Sequence, residues 1–151
     1  MNVNFEQLLA EQGKFVYPNV GTSMMPLLRQ HRDLMIIEKR PDGDLKKYDA
    51  VLYNRDGKYI LHRIIAVHPA LENGETTYDI IGDNQWHIEK NVKDRQIIGV
   101  LTGVVRDGKT VLVTDPEYLR YVRKKCGGSI RIKRFPLFLR AFAGRCIRKF
   151  K

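Results

Sequence analysis

The chain has 151 residues, 43% of them hydrophobic, which is enough for one domain of ordinary size with a buried core. Its two cysteines, Cys126 and Cys146, are too few for a disulfide scaffold or a cysteine-rich zinc site, and we expect reduced thiols in a cytoplasmic protein. Residues 117–151 carry twelve Lys or Arg and one acid, whereas residues 1–116 carry 15 bases and 16 acids. Such a basic tail suits an anionic membrane surface or a nucleic acid, although a solvated helical face has the same composition.

The first predicted element is a short helix from Asn4 to Gln12, with Asn4 as its cap and Gly13 at its end. Residues 15–31 are predicted to be irregular, because two prolines and a glycine interrupt any regular pattern. No apolar run approaches the roughly 20 residues that span a membrane, and the N-terminus lacks the basic start and apolar block of a secretory signal.

From Asp33 onward the pattern predicts strands, because Val, Ile, Leu and Tyr are concentrated in short runs. Asp56-Gly57 and Asp107-Gly108 are two-residue turn signals, each of which predicts a β-hairpin. The predicted strands lie in the segments RDLMIIEKR, DAVLYNR, KYILHRIIAV, TTYDIIG, QIIGVLTGVVR and KTVLVT.

After the last strand, Asp115 is placed to cap a helix that runs to about Lys125, and residues 131–151 are predicted to form a second helix. The sequence therefore predicts a mainly β body with a short N-terminal helix and basic C-terminal helices. We divide it into a body of residues 1–115 and a basic helical tail of residues 116–151.

A candidate nucleophile lies in the irregular segment before the first predicted strand, in the run Gly21-Thr22-Ser23-Met24-Met25-Pro26. A nucleophilic serine needs an exposed hydroxyl and backbone N–H groups aimed at the oxyanion, and Gly21 permits the tight backbone that this aiming requires. A serine in an ordinary turn has the same local sequence. The motif is therefore weak by itself.

A serine hydroxyl is a poor nucleophile at neutral pH and needs an adjacent base. His62 lies in the predicted strand YILHRII, where its neighbours suggest a partly buried place that would keep the ring neutral. A core histidine with one hydrogen bond fits the same position. Asp83, in the turn that follows TTYDII, could orient an imidazole as in other triads, although aspartate also favours turns for its own sake.

Taken in order, the segments GTSMMP, RDLMII, KKYDAVLY, YILHRII and IIGDNQ resemble the type I signal peptidases and the related self-cleaving SOS repressors. His62-Arg63-Ile64 is similar to the branch of that superfamily in which the base is histidine rather than lysine. The resemblance covers about residues 15–105. It implies a coiled β-sheet or barrel-like peptidase fold and acyl-enzyme chemistry without a metal or a cofactor.

The resemblance assigns Ser23 as nucleophile and His62 as general base. Asp83 matches the aspartate of the Gly-Asp-Asn box, and Glu89 stands six residues later, where the Ser/His branch has a further acid. Either acid could be the third member of a triad, or Asp83 could brace the loop while Glu89 orients His62. Support for the oxyanion and the loop falls to Gly21, Thr22 and Met24, since Gly21 stands where many signal peptidases have a serine.

The implied substrate is a peptide or protein segment bound as an extended strand, with small residues just before the cleaved bond. Only 20 residues precede Gly21, so we expect neither the spanning helix of signal peptidases nor the DNA-binding domain of the repressors. Two alternatives stay open, a non-catalytic binding module of the same fold and a basic-tailed nucleic-acid-binding protein of repressor descent. Nucleic acid is the less favoured partner, because only charge points to it.

The tail offers a second partner, because residues 131–151 combine an aromatic face with a basic one. A basic amphipathic helix of this kind can lie in a membrane interface, or it can pack its apolar face on the body. We expect a cytoplasmic peptidase that associates peripherally with membranes. The apolar face is formed by Phe135, Phe138, Leu139, Phe142, Cys146 and Phe150.

Overall fold

The computed structural model describes residues 4–40, 43, 45–72, 74–127 and 136, and the description below concerns those residues. Two helices and eight strands account for most of them. In chain order these are α1 (Phe5–Gln12), β1 (Lys14–Pro18), β2 (Leu34–Lys39), β3 (Ala50–Arg55), β4 (Lys58–His68), β5 (Thr77–Ile81), β6 (Glu89–Lys93), β7 (Ile97–Arg106), β8 (Lys109–Leu112) and α2 (Pro116–Cys126).

The strands form one antiparallel sheet in the order β1-β2-β7-β3-β4-β5-β6, with β8 paired to β7. β1 and β6 are its edges, and the sheet is not closed. The prediction of a mainly β body with a short N-terminal helix is confirmed, in the form of an open sheet.

Both predicted hairpin turns are present. Asp56 and Gly57 have φ angles of 53° and 78°, and Asp107 and Gly108 have φ angles of 49° and 77°. Two consecutive positive φ angles are what a type I′ turn needs, and aspartate and glycine tolerate them better than other residues. The turns fix the registers β3–β4 and β7–β8, so they determine which side chains of each hairpin share a face.

α1 is capped largely as its sequence predicts. The Asn4 side chain accepts a hydrogen bond from the Gln7 N–H at 3.1 Å, and Gly13 ends the helix in the left-handed region with φ 73°. In a full capping box the Gln7 side chain would hydrogen-bond back to the Asn4 N–H. Here it donates to the Glu11 side chain instead, at 2.8 Å. Phe5 then fixes the helix to the sheet through ring contacts with three aromatic side chains, namely Phe15, Tyr17 and Tyr59.

The prediction that residues 15–31 are irregular is wrong at its start, because Lys14–Pro18 forms β1 and pairs with β2 along its whole length. Pro18 is the last residue of this edge strand, a place where a missing N–H costs little. β6 was not predicted either, because only Val92 of its five residues is buried and the others are polar. Both misses are edge strands, at opposite ends of the strand order.

α2 packs against the sheet, although we assigned it from the sequence to the basic tail. Tyr118, Val122 and Cys126 are buried in the same hydrophobic cluster as Phe5 and Leu52. The Asp115 side chain accepts from the Leu112 N–H at 2.7 Å rather than from a helix N–H, so it holds the turn that precedes the helix.

The second predicted helix, over residues 131–151, lies outside the described residues except for Pro136. Among the helices that the structure does describe, none has the length and hydrophobicity needed to cross a bilayer.

Candidate active site

The loop between β1 and β2 carries Ser23. A buried asparagine connects the two ends of this loop. Asn19 is 7% exposed, and its side-chain amide donates to the backbone oxygens of Gly21 at 2.6 Å and Leu28 at 3.3 Å. Its own N–H donates to the backbone oxygen of Asp33 at 3.0 Å. Asn19 therefore closes the loop on both sides of Ser23, a role that sequence reasoning missed.

A charged cluster fixes the far side of the same loop. Arg106 of β7 donates to the backbone oxygens of Pro26 at 2.9 Å and Leu27 at 2.6 Å, and it pairs with Asp33 at 3.0 Å. Burial by itself would raise the pKa of the Asp33 carboxyl, but hydrogen bonds from Arg29 and Arg106 outweigh it and lower the pKa to about 2. The carboxylate thus stays charged and anchors the loop to the sheet.

The Gly-Asp-Asn turn after β5 packs directly on the candidate nucleophile. The Asn84 N–H donates to the Ser23 carbonyl oxygen at 2.7 Å, and the Asn84 side chain donates to the Thr22 oxygen at 3.2 Å. A Cβ at Gly82 would lie 2.7 Å from the Ser23 carbonyl oxygen and 3.0 Å from the Ser23 Cβ. Only glycine permits this approach, so the two motifs are built to meet.

The same turn brings Ser23 close to β4, the strand that carries His62. Ile81, the last residue of β5, pairs with Arg63 of β4. Continuing this antiparallel register by one position sets Gly82 beside His62, with their Cβ directions on one face. Ser23 packs closely on Gly82. No hydrogen bond joins Ser23 Oγ to the His62 ring among the described residues, and catalytic hydrogen bonds often tighten only when substrate binds.

The His62 ring is buried, at 3% exposure, and its Nδ1 atom faces a tyrosine and a carboxylate. Tyr53 Oη lies 3.3 Å from His62 Nδ1 and donates to Glu89 Oε1 at 2.9 Å. Glu89 Oε1 is 3.6 Å from His62 Nδ1, and it forms an ion pair with Arg55 at 2.7 Å. A phenol and a carboxylate therefore lie near His62 Nδ1, and a basic side chain pairs with that carboxylate.

Asp83 lies in a different, fully buried pair. It receives two hydrogen bonds from Arg63, at 2.9 and 2.7 Å, and a third from the Tyr121 hydroxyl at 2.8 Å. Arg63 also donates to the Tyr48 carbonyl at 2.8 Å and the Tyr118 hydroxyl at 3.1 Å. Burial disfavours the charged guanidinium, but the contacts with Asp83 outweigh it, so the pKa of Arg63 lies above its ordinary value.

The two acids that the sequence left as alternatives thus have separate surroundings. Glu89 faces His62, while the described contacts of Asp83 are with Arg63 and Tyr121. Through those contacts Asp83 connects the Gly-Asp-Asn turn to β4 and to α2. The geometry fits the version in which Asp83 braces the loop and Glu89 orients the histidine.

The three residues expected to support the oxyanion differ in what they contribute. Met24 is 1% exposed and anchors the loop in the core, and the Thr22 oxygen accepts from the Met25 N–H at 3.2 Å. Gly21 has no positive φ and no atom within 4 Å of a notional Cβ, so the backbone does not require glycine there. In the described hydrogen bonds the Ser23 N–H has no acceptor, which suits an oxyanion donor.

A cleft of about 280 Å³ opens beside Ser23, between the end of β1 and the first half of β4. Among the described strands, β5 pairs with β4 from Arg63 onward, so the stretch of β4 from Lys58 to Leu61 has no strand partner there on the side opposite β3. β1 is itself an edge strand. The side chains that line the cleft are mostly apolar or aromatic, and they include Phe5, Tyr17, Val20, Met35, Leu52, Tyr59 and Leu61.

Comparisons of the chain with protein-family models, with curated proteins and with solved structures gave no match. The function proposed next rests on the geometry of this site and on the order of the motifs that form it.

Proposed function

We propose that this chain is a serine endopeptidase of the signal-peptidase type, with Ser23 as nucleophile and His62 as general base. One observation carries the proposal. The Gly-Asp-Asn turn packs on Ser23 and follows the strand that pairs with β4 next to His62, whose Nδ1 atom lies near Tyr53 and Glu89. A hydroxyl, a base and a group that orients the base are the parts that activated nucleophiles share.

In the proposed reaction, His62 Nε2 takes the proton of Ser23 Oγ as that oxygen bonds to the scissile carbonyl carbon. The negative charge on the carbonyl oxygen meets the Ser23 N–H. The C–N bond then breaks, and His62 returns its proton to the leaving amine. Water, deprotonated by the same ring, then bonds to the acyl carbon, the bond to Ser23 Oγ breaks, and His62 returns the proton to Ser23 Oγ. Ser23 and His62 are the two catalytic residues.

The cleft supports an extended peptide as substrate. On its two sides, the outer edge of β1 and residues 58–61 of β4, which have no strand partner there among the described residues, offer backbone donors and acceptors, and pairing with such an edge is how a strand is added to a sheet. Gly21 lines the cleft, and its missing side chain leaves open space next to Ser23. A substrate main chain would approach the nucleophile through that space.

A fluorophosphonate probe that phosphonylates activated serines tests the proposal, because the chain has only two serines, Ser23 and Ser129. We expect labelling of the wild type and of Ser129→Ala, and none of Ser23→Ala. Mass spectrometry of tryptic peptides identifies the labelled serine. An unlabelled wild type that also hydrolyses no extended peptide library would leave the cleft as a peptide-binding module, and labelling at Ser129 would contradict the assignment.

We further propose that the basic tail brings this peptidase to an anionic membrane surface. Residues 128–151 carry eight Lys or Arg and no acid, and each one near such a surface is worth roughly 1 kcal/mol. The full chain is expected to co-sediment with phosphatidylserine-containing vesicles at low salt, and less as salt screens the charges. Pure phosphatidylcholine vesicles are the control.

A chain ending at Gly127 keeps α2, whose side chains belong to the core, and is expected to lose vesicle binding but not peptidase activity. Equal binding to both kinds of vesicle, or vesicle binding by the shortened chain, would contradict a role for the tail. Salt-sensitive binding to DNA without any hydrolysis would favour the nucleic-acid alternative instead.

A further inference from the structure

We propose that Tyr53 is a positioning residue of this site, which links Glu89 to His62 and holds the imidazole in the tautomer with its proton on Nδ1. This inference rests on the proposed function, since it assigns the groups that prepare His62 to act as a base. Tyr53 ends the segment KKYDAVLY, but the sequence motifs assign it no role in the site.

The distances favour a bridge over a direct contact. Tyr53 Oη is 2.9 Å from Glu89 Oε1 and 3.3 Å from His62 Nδ1, whereas the carboxylate oxygen itself is 3.6 Å from His62 Nδ1. A separation of 3.6 Å is too long for a hydrogen bond, while both steps through the phenol are within reach. The carboxylate therefore acts on the ring through Tyr53.

The number of protons available determines the tautomer. Arg55 lies 2.7 Å from Glu89 Oε1 and favours the ionised carboxylate, which has only acceptors. The single phenol proton must then point to Glu89, and the Tyr53 oxygen is left to accept. Its partner, His62 Nδ1, must donate, so Nε2 carries a lone pair in the neutral ring. Nε2 is the atom that takes a proton from Ser23 in the proposed reaction.

Tyr53 is suited to stay protonated in this arrangement. It is fully buried in the sheet, and its burial, together with the hydrogen bond to Glu89, raises the pKa of the phenol above its ordinary value. When Nε2 takes up a proton, the positive ring donates more strongly from Nδ1, and a chain of hydrogen bonds ending on a carboxylate strengthens with it. The bridge thus favours the charged state of His62 that forms during the reaction.

The chain offers a matched control for removing the hydroxyl. Tyr78 of β5 is also buried, donates to the carboxylate of Asp94 at 2.6 Å, and that carboxylate pairs with Arg40. Tyr53→Phe and Tyr78→Phe therefore each remove a buried phenol from a tyrosine–carboxylate–arginine group. In the contacts that the described residues make, the group of Tyr53 reaches the candidate base, whereas that of Tyr78 lies at the pairing of β5 with β6.

The test is a two-dimensional ¹H–¹⁵N NMR measurement of histidine tautomers in the full-length chain, with the His62 signals assigned from His62→Gln. We expect the neutral ring of His62 to carry its proton on Nδ1 in the wild type and in Tyr78→Phe. In Tyr53→Phe we expect a shift toward the Nε2–H tautomer. A wild-type ring protonated on Nε2 overturns the proposal, and this result does not depend on whether the Tyr53 or Tyr78 variant folds.

Kinetics supply the second measurement. General acid–base catalysis contributes about 10²–10⁴-fold, so a misplaced ring proton in Tyr53→Phe is expected to lower kcat by about 10–100-fold with KM nearly unchanged. Tyr78→Phe is expected to keep the wild-type kcat. An unchanged tautomer and kcat in Tyr53→Phe would mean that Glu89 orients His62 without the phenol. If the tautomer shifts but neither the wild type nor any variant hydrolyses peptides, Tyr53 positions His62 and the proposed peptidase function is wrong.

Discussion

Ser23→Ala is expected to lower peptide hydrolysis by at least about a thousandfold, and His62→Ala by a similar factor, because removing either member of a nucleophile–base pair abolishes the same step. The double variant should be no slower than the slower single one, since the two groups act as a unit. Steady-state kcat/KM on an extended peptide, measured for the two single variants and the double variant, checks this result.

His68→Ala is the matched control for the histidine. His68 ends β4, half exposed, and pairs with Asp79 at 3.3 Å, away from the nucleophile loop. We expect it to retain wild-type turnover. Near-wild-type hydrolysis by Ser23→Ala or His62→Ala, or additive losses in the double variant, would contradict the shared mechanism.

Much of this site follows from local sequence. The Asp56-Gly57 turn pairs Arg55 with Lys58, and counting back along the hairpin pairs Val51 with His62. Because side chains alternate along β3, Tyr53 lies on the same face of the sheet as His62, at the neighbouring diagonal position. Tyr53 could have been identified from the turn signal alone, but a tyrosine within an apolar strand also looks like an ordinary core residue.

The rest depends on parts of the chain that meet only in the folded protein. Glu89 belongs to β6, an edge strand whose polar sequence gives no strand signal, so its contact with Tyr53 of β3 could not be counted from a turn. Asn19 closes the nucleophile loop through backbone oxygens, which sequence does not display. The choice between Asp83 and Glu89 required these long-range neighbours, since spacing to the Gly-Asp-Asn box left both acids possible.

Asp83→Asn is expected to lower the free energy of unfolding by about 3–5 kcal/mol, the usual cost of removing one partner from a buried ion pair. Asp83 and Arg63 are both fully buried, so water cannot compensate the guanidinium that remains. The amide would also present N–H groups to a side chain that has only donors. Urea-induced unfolding followed by circular dichroism measures the change. The control is Asp79→Asn in β5, where the carboxylate pairs with half-exposed His68. It should lower the free energy of unfolding by less than about 1 kcal/mol.

Glu89→Gln separates stability from catalysis at the second acid. Glu89 is partly exposed and its Arg55 partner is about half exposed, so solvent can replace much of their ion pair and the loss of stability should be small. Its charge, however, supports the protonated form of His62, so the expected change is a fall in kcat. Asp83→Asn should instead retain nearly wild-type kcat per folded molecule, measured well below its unfolding midpoint. If Asp83→Asn lowers kcat more than Glu89→Gln does, Asp83 is the acid that acts on His62. If neither substitution lowers kcat, Ser23 and His62 act without a third member.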